Sequence, residues 1–492
     1  MKASLIALGS VVCVVLACAG LSSCVFYLNP VCTDQIKNGD ETGIDCGGSC
    51  GKCDLGEGCK IDKDCDEGNC VRGKCTPFPC DNGMQDGVET DIDCGGGECR
   101  KCAGGRACAA DTDCFSGVCE PGANLCRGLG TVSFADATAY MAGSKPYAMF
   151  AGDMNGDGKV DLVVANEIGS SLSVFLNDGA GNFQNMPPEF PTGQFPTGGL
   201  VVDMNGDKVP DVLTSNFHGY SVSLSLNMGN GMLAPFLDFP TTVDKAETSN
   251  LAVGYLDDNG KPDDLKRLDV IATNQSGSSI SVYLGQDDFT LGPATTIPVG
   301  TMAASVPFSA AIGDFNHDGN DDVAIADDLS AALIVRLGNG DGTFQPEVPY
   351  ALRGVRDFVV ITADMNLDGN LDLVCANRGS NNVSVLLGRG DGTFKKAILA
   401  STGKDSGPYS IAVADFNKDG VPDVITANFM SGNATVLLGV GDGNLEVAID
   451  AGPTGSFSYG VAVGDFNGDG NLDFATANAG AQNMTVKMST AH

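Results

Sequence analysis

The chain reads as all-β, a seven-bladed propeller preceded by two small disulfide-rich modules, and three observations carry that reading. An Asp/Asn/Gly-rich loop recurs seven times from Asp153 onwards, at a spacing of about 50 residues. Each loop is flanked by short runs of β-branched and apolar residues, as in AVAVGDF before Asp465 and DFATAN after it. Sixteen cysteines crowd residues 32–126 and almost none follow.

The best-formed loop is DFNGDGNLD, Asp465 to Asp473. Asp465, Asn467 and Asp469 stand at positions 1, 3 and 5, Gly470 at 6 and Asp473 at 9, so four oxygen-bearing side chains can converge around a turn that glycine permits. An all-oxygen donor set favours a hard cation, and Ca2+ is the expected ion. The other candidate ligand sets are Asp153, Asn155, Asp157 and Asp161; Asp203, Asn205, Asp207 and Asp211; Asp314, Asn316, Asp318 and Asp322; Asp364, Asn366, Asp368 and Asp372; and Asp415, Asn417, Asp419 and Asp423. The second loop carries Lys208 where glycine is expected. The third, Tyr255 to Asp269, lacks the first Asp and has an insertion, so it is not expected to bind. Six bound Ca2+ would bring the formal charge from −34 to about −22. The acidity itself excludes a nucleic-acid surface, which needs clustered Lys and Arg.

In chain order, residues 1–23 read as an export signal: Lys2, then an apolar run to about Gly20 that is too short for a lasting span. It ends in Leu21-Ser22-Ser23-Cys24, which resembles the lipobox of bacterial lipoproteins. That resemblance implies acylation of Cys24, a membrane partner reached through the lipid, and a cell-envelope location with the outer membrane favoured. An ordinary signal peptide with a chance cysteine is the alternative. Residues 24–31 would form the lipidated tether.

Module one (32–79) and module two (80–127) share one cysteine pattern: Cys32, Cys46, Cys50, Cys53, Cys59, Cys65, Cys70 and Cys75 recur in order as Cys80, Cys94, Cys99, Cys102, Cys108, Cys114, Cys119 and Cys126. An even count in an exported chain poor in apolar mass predicts intramodule disulfides. Zinc at Cys50/Cys53 and Cys99/Cys102 competes, against an oxidising compartment and a region without histidine. The modules resemble cysteine-rich repeats of surface proteins of myxobacteria and related Gram-negative bacteria, and read as a protease-resistant stalk. Asp45, Asp91 and Asp93 suit either calcium or a solvated turn.

Residues 128–492 form the propeller. The sixth unit shows the plan: SIAVADF, the Asp415 loop, DVITAN, a polar turn, ATVLLG, the turn VGDGN, then LEVAID, giving four antiparallel strands. DFNxDGxxD, the following D-[LV]-hydrophobic-hydrophobic-A-N and the LGxGDGTF segments at Leu337 and Leu387 resemble the VCBS/FG-GAP repeats, the family that includes the integrin α-subunit propeller. The last unit stops after MTVKMS, and the segment from Gly130 to Tyr140 matches fourth strands, so the N-terminal strand is expected to close the ring. Cys375, in DLVCAN, reads as a small core residue.

Six residues before each loop stand Tyr147, Phe308, Phe358, Tyr409 and Tyr459, with Thr197 and Ser249 in the two remaining units. On innermost strands these aromatics would circle the channel mouth opposite the acidic loops, either as platforms for a protein or carbohydrate ligand or as core between blades. The expected role is adhesion or ligand recognition without enzymatic activity. The alternatives are a carbohydrate-active enzyme, as in lyases built on similar propellers, and a purely structural surface protein. His218, His317 and His492 are the histidines, too scattered to mark a catalytic set.

Overall fold

The computed structural model describes residues 132–490, apart from 258–266, 301–304, 353 and 355–356, together with scattered residues between 53 and 126. The expected leader, tether and Cys24, and most of module one, lie outside the described residues. Two compact units separate at residues 126 and 127, with 103–105 grouped with the second.

In the first unit, disulfides join Cys94 to Cys102, Cys108 to Cys119 and Cys114 to Cys126, and Cys53 and Cys59 are also disulfide-bonded. Buried Asp113 braces the turns around it, accepting hydrogen bonds from the backbone N–H groups of Ala109 (2.8 Å), Ala110 (3.0 Å) and Gly96 (3.2 Å). Asp91 accepts the N–H of Ala107 at 2.6 Å, which makes it a turn brace.

The second unit is a propeller of seven antiparallel sheets. In blade six, Pro408–Ala414, Asp423–Asn428, Asn433–Gly439 and Leu445–Pro453 follow one another outward from the axis, and the other blades repeat this order. Innermost strands are neighbours around the ring, the seventh lying beside the first. Closure is as the sequence suggests: Thr138–Met141 pairs antiparallel with Asn483–Lys487 as the outer strand of blade seven. Blade one departs from the plan, its outer strand split into Phe183–Asn185 and Phe190–Pro191.

Each second strand is buried on both faces (DVITAN, residues 423–428, has no exposed member), so its apolar side chains pack against both neighbouring blades. A hydrophobic core fills every junction between adjacent blades. Cys375 belongs to the core between blades four and five as a buried thiol outside any disulfide. Backbone latches add to it: the Met154 carbonyl of blade one accepts from the Gly231 N–H (2.8 Å) and the Asn227 side chain (2.9 Å) of blade two.

Candidate functional site

Every acidic loop joins an innermost strand to a second strand, so all of them lie on one face. In the first loop, Asp153 Oδ1 accepts the N–H of Gly156 (2.7 Å) and of Asp157 (3.1 Å), and Oδ2 that of Gly158 (2.7 Å). Asn155 Oδ1 takes the Asp157 N–H at 2.9 Å, and Asp157 Oδ1 the Lys159 N–H at 3.0 Å. The side chain at position 2 (Met154, Met204, Phe315, Met365, Phe416 or Phe466) is buried in the blade junction, while positions 1, 3 and 5 lie at least partly open to solvent, except in loop six, where Asn417 and Asp419 are buried. Lys208 adopts φ 71° and donates to Asp203 at 2.7 Å, so loop two keeps the geometry despite losing glycine. Position 4 is left-handed as well, in Gly156 and Gly468 but also in His317, Leu367 and Lys418, a requirement the sequence does not announce.

Position 9 is fully buried in every blade. Asp161 accepts the N–H of Met154 at 2.9 Å and of Asn177 at 2.7 Å, bracing the loop to the end of the third strand. Asp269 does the same in blade three, from Leu256 (2.7 Å) and Gly285 (2.7 Å), although that loop lacks the first Asp. Burial, opposed by these hydrogen bonds and aided by neighbouring loop carboxylates, pushes Asp161, Asp211, Asp269, Asp322 and Asp473 up to about 6, Asp372 to about 7 and Asp423 to about 8. Among the described residues no loop gathers three carboxylates with oxygens all within 4.8 Å. The donor set, three carboxylates and one amide oxygen without nitrogen or sulfur, suits a hard divalent cation.

The opposite face carries the turns between second and third strands and the connections into each innermost strand. Here Tyr147, Tyr409, Tyr459 and Phe308 come together. Tyr147 stacks on Tyr459 with centroids 4.2 Å apart, Tyr409 meets them edge-on at 5.7 and 4.7 Å, and Phe308 meets Tyr409 at 5.8 Å. The hydroxyls of Tyr147 and Tyr409 are hydrogen-bonded. Tyr409 is 6% and Phe308 9% exposed, so these two are packing residues of the channel and not open platforms. The channel radius is small enough for side chains of non-adjacent blades to touch. They leave a cavity of 190 Å³ on the axis, lined also by Thr197 and Asn250. Phe358 lies on an innermost strand, but its side chain is outside the described residues.

A second cavity, of 380 Å³, opens on the same face where blades six, seven and one meet. Its aromatic wall is Phe429, Phe457 and Tyr459, with Phe429 and Phe457 stacked at 5.1 Å and Phe429 4.9 Å from Tyr459. Ser144, Lys145 and Gln482 supply polar groups, and Ile168 an exposed apolar one. Lys145 is ion-paired with Glu167 at 2.5 Å, and the Arg378 guanidinium lies 4.6 Å from the Phe429 ring centroid. Of the residues expected on this face from sequence, Tyr459 alone lines both cavities. Phe429 and Phe457 are newly placed there.

The FG-GAP-like repeat family matches residues 153–214, 266–325, 314–375, 364–426 and 419–476. The chain belongs to that family. Solved propellers similar to it include BBS1N in complex with ARL6DN (14% identity over 73% of this chain and 97% of that one, TM-score 0.50) and a streptogramin B lyase (12%, 72% and 98%, TM-score 0.48). An Agrocybe aegerita lectin that recognises non-reducing terminal N-acetylglucosamine is similar at 20% identity over 71% and 86%, with TM-score 0.44. At these identities the likeness is one of fold. No curated protein matches the chain.

Within the FG-GAP-like repeats the two faces differ in kind. On the loop face the same residue types recur from blade to blade. On the other face the backbone recurs while the side chains do not: among the described residues the N–H that opens the turn donates to the connection below it in six blades, as from Glu167 to Lys145 (2.9 Å), Phe217 to Phe195 (2.8 Å) and Phe429 to Gly407 (3.0 Å). Successive blades set turn residue and next connection residue side by side as Glu167 and Phe195, Phe217 and Glu247, Gln275 and Val306, Arg378 and Gly407, Phe429 and Phe457, and Ala479 and Lys145. Among these described junctions, only that of blades six and seven has two aromatics. Aligning the repeats on this pair of positions is the signal that could have found the cavity.

Proposed function

We propose that this protein is an exported, lipid-anchored recognition module of the cell envelope, whose propeller is stabilised by Ca2+ on the loop face and binds a protein or carbohydrate ligand on the opposite face. The observation that carries it is the contrast between faces: recurring side chains that serve the fold on one, and a non-recurring aromatic cavity with polar groups at its edge on the other. Asp153, Asn155, Asp157 and Asp161 and their counterparts in the five other intact loops would hold the ion, which neutralises carboxylates that otherwise repel one another. We read the chain as a binder and not an enzyme. His218 packs on Phe195 and Phe217 at 4.5 and 5.0 Å, His317 bonds to Asn370 at 2.9 Å, and the Cys375 thiol is buried, so these reactive groups are engaged in packing.

The test is retention of solubilised envelope protein and polysaccharide by immobilised protein in millimolar calcium. The wild type should retain material that Phe429→Ala with Phe457→Ala does not; equal retention by both, or none by the wild type, contradicts the reading. The anchor at Cys24 is tested separately: Cys24→Ala should move the protein from the detergent to the aqueous phase, and unchanged partitioning refutes acylation.

A further inference from the structure

Building on the recognition reading above, we infer that the 380 Å³ cavity where blades six, seven and one meet takes a neutral pyranose unit, its C–H face on Phe457 and its hydroxyls toward Gln482, Lys145 and Ser144. The volume lies in the range of about 300–1,000 Å³ usual for small-ligand sites. Phe457 is 50% exposed while the ring stacked behind it, Phe429, is only partly so, which leaves a flat aromatic surface fixed from the rear.

Charge selects among ligands. Lys145, the cation lining the cavity, is already paired with Glu167 at 2.5 Å, and the chain carries −34 overall, so a polyanion gains little from this lysine and meets a repulsive field. A cationic ligand would meet Lys145, 5.9 Å from the Tyr147 ring, and Arg378, which already covers Phe429 at 4.6 Å. An apolar peptide side chain would match the ring but strip water from Ser144, Lys145 and Gln482 without replacing their hydrogen bonds. A neutral sugar satisfies both halves: it is apolar over one ring face, rich in hydroxyls at its edge and without net charge, and Ser144, Lys145 and Gln482 offer it donors and acceptors together.

The chain contains no tryptophan, so Phe457→Trp keeps a platform and adds a single indole as reporter. Full-length wild type, Phe457→Trp and Phe457→Ala in millimolar calcium are titrated with the methyl glycosides of glucose, galactose, mannose and N-acetylglucosamine and with methyl glucuronide, by calorimetry and, for Phe457→Trp, by indole emission. At least one neutral glycoside should bind wild type and Phe457→Trp and shift the emission, bind Phe457→Ala at least about tenfold more weakly, and outcompete the glucuronide. Absence of binding by every neutral glycoside, undiminished binding to Phe457→Ala, or preference for the glucuronide overturns the inference. If the glycosides fail while wild type retains an envelope protein that Phe429→Ala with Phe457→Ala loses, the sugar is wrong and the recognition face stands. If the double variant retains everything the wild type does, both fall.

Discussion

The aspartate at the ninth loop position has two roles that sequence alone merges into one, an observed backbone brace and the proposed ligation of a cation. Its oxygens accept N–H groups from the loop and from the far end of the third strand, seven and sixteen residues away, and each oxygen has a second lone pair free for a cation. Blade three separates the jobs, because Asp269 keeps the brace where Tyr255 replaces the first loop Asp. Asp269→Asn would turn an amide N–H toward a backbone N–H and should destabilise the propeller by about 1–3 kcal/mol, while the increment that calcium adds stays as in wild type. Denaturant unfolding with and without calcium measures both; an unchanged stability, or a calcium increment that vanishes with the substitution, would refute the purely structural role of this residue. Tyr409 shows the limit of residue-by-residue reading. Its position in the repeat is plain from the sequence, yet its burial depends on Tyr147 and Tyr459 arriving from two other blades.

At the scale of elements, most of the fold was legible. Strands alternate with Asp-rich and Gly-rich turns whose chemistry is local, and MTVKMS lacks an outer partner, so Thr138–Met141 could be assigned across the whole length of the propeller. Lys487, on the third strand of blade seven, ties that blade to blade six by donating from its buried ammonium to the Ala451 carbonyl at 2.5 Å. What stayed hidden does not recur: the split outer strand of blade one, and Phe429 and Phe457, each of which looks like an ordinary turn residue until the blades are set side by side. The cysteine modules show how a repeat carries structure from one copy to another. By the matching cysteine order, Cys94–Cys102, Cys108–Cys119 and Cys114–Cys126 predict Cys46–Cys53, Cys59–Cys70 and Cys65–Cys75 for module one. Peptide mapping under non-reducing conditions should recover those three pairs. Other partners for these cysteines, or bound zinc with free thiols, would show that the copies fold differently.

As proposed, the whole molecule is divided between a repeated loop face that stabilises and a non-repeated face that recognises. Its seven buried aspartates make the metal-free state sensitive to pH in a definite direction. Their carboxyls sit above the ordinary value of 3.8, at about 6 to 8, because of burial, so the stability they contribute is complete below about pH 4 and is lost as pH rises through 6 to 8. Calcium, bound as proposed, would act in the opposite sense, since it requires ionised carboxylates, and each site filled at a hundredfold excess over Kd would add about 2.7 kcal/mol. Both effects belong to the loop face, so Phe457→Ala should leave them intact. The direct measurement is the melting temperature of wild type, Asp465→Asn with Asp469→Asn, and Phe457→Ala, each in chelator and in millimolar calcium, at pH 5 and pH 8. The account predicts for wild type a lower melting temperature at pH 8 than at pH 5 in chelator, and a calcium-dependent rise that is larger at pH 8. It further predicts a smaller rise in the loop variant and a wild-type rise in Phe457→Ala. Equal melting in chelator and calcium, or a Phe457→Ala protein that loses the rise, would contradict it.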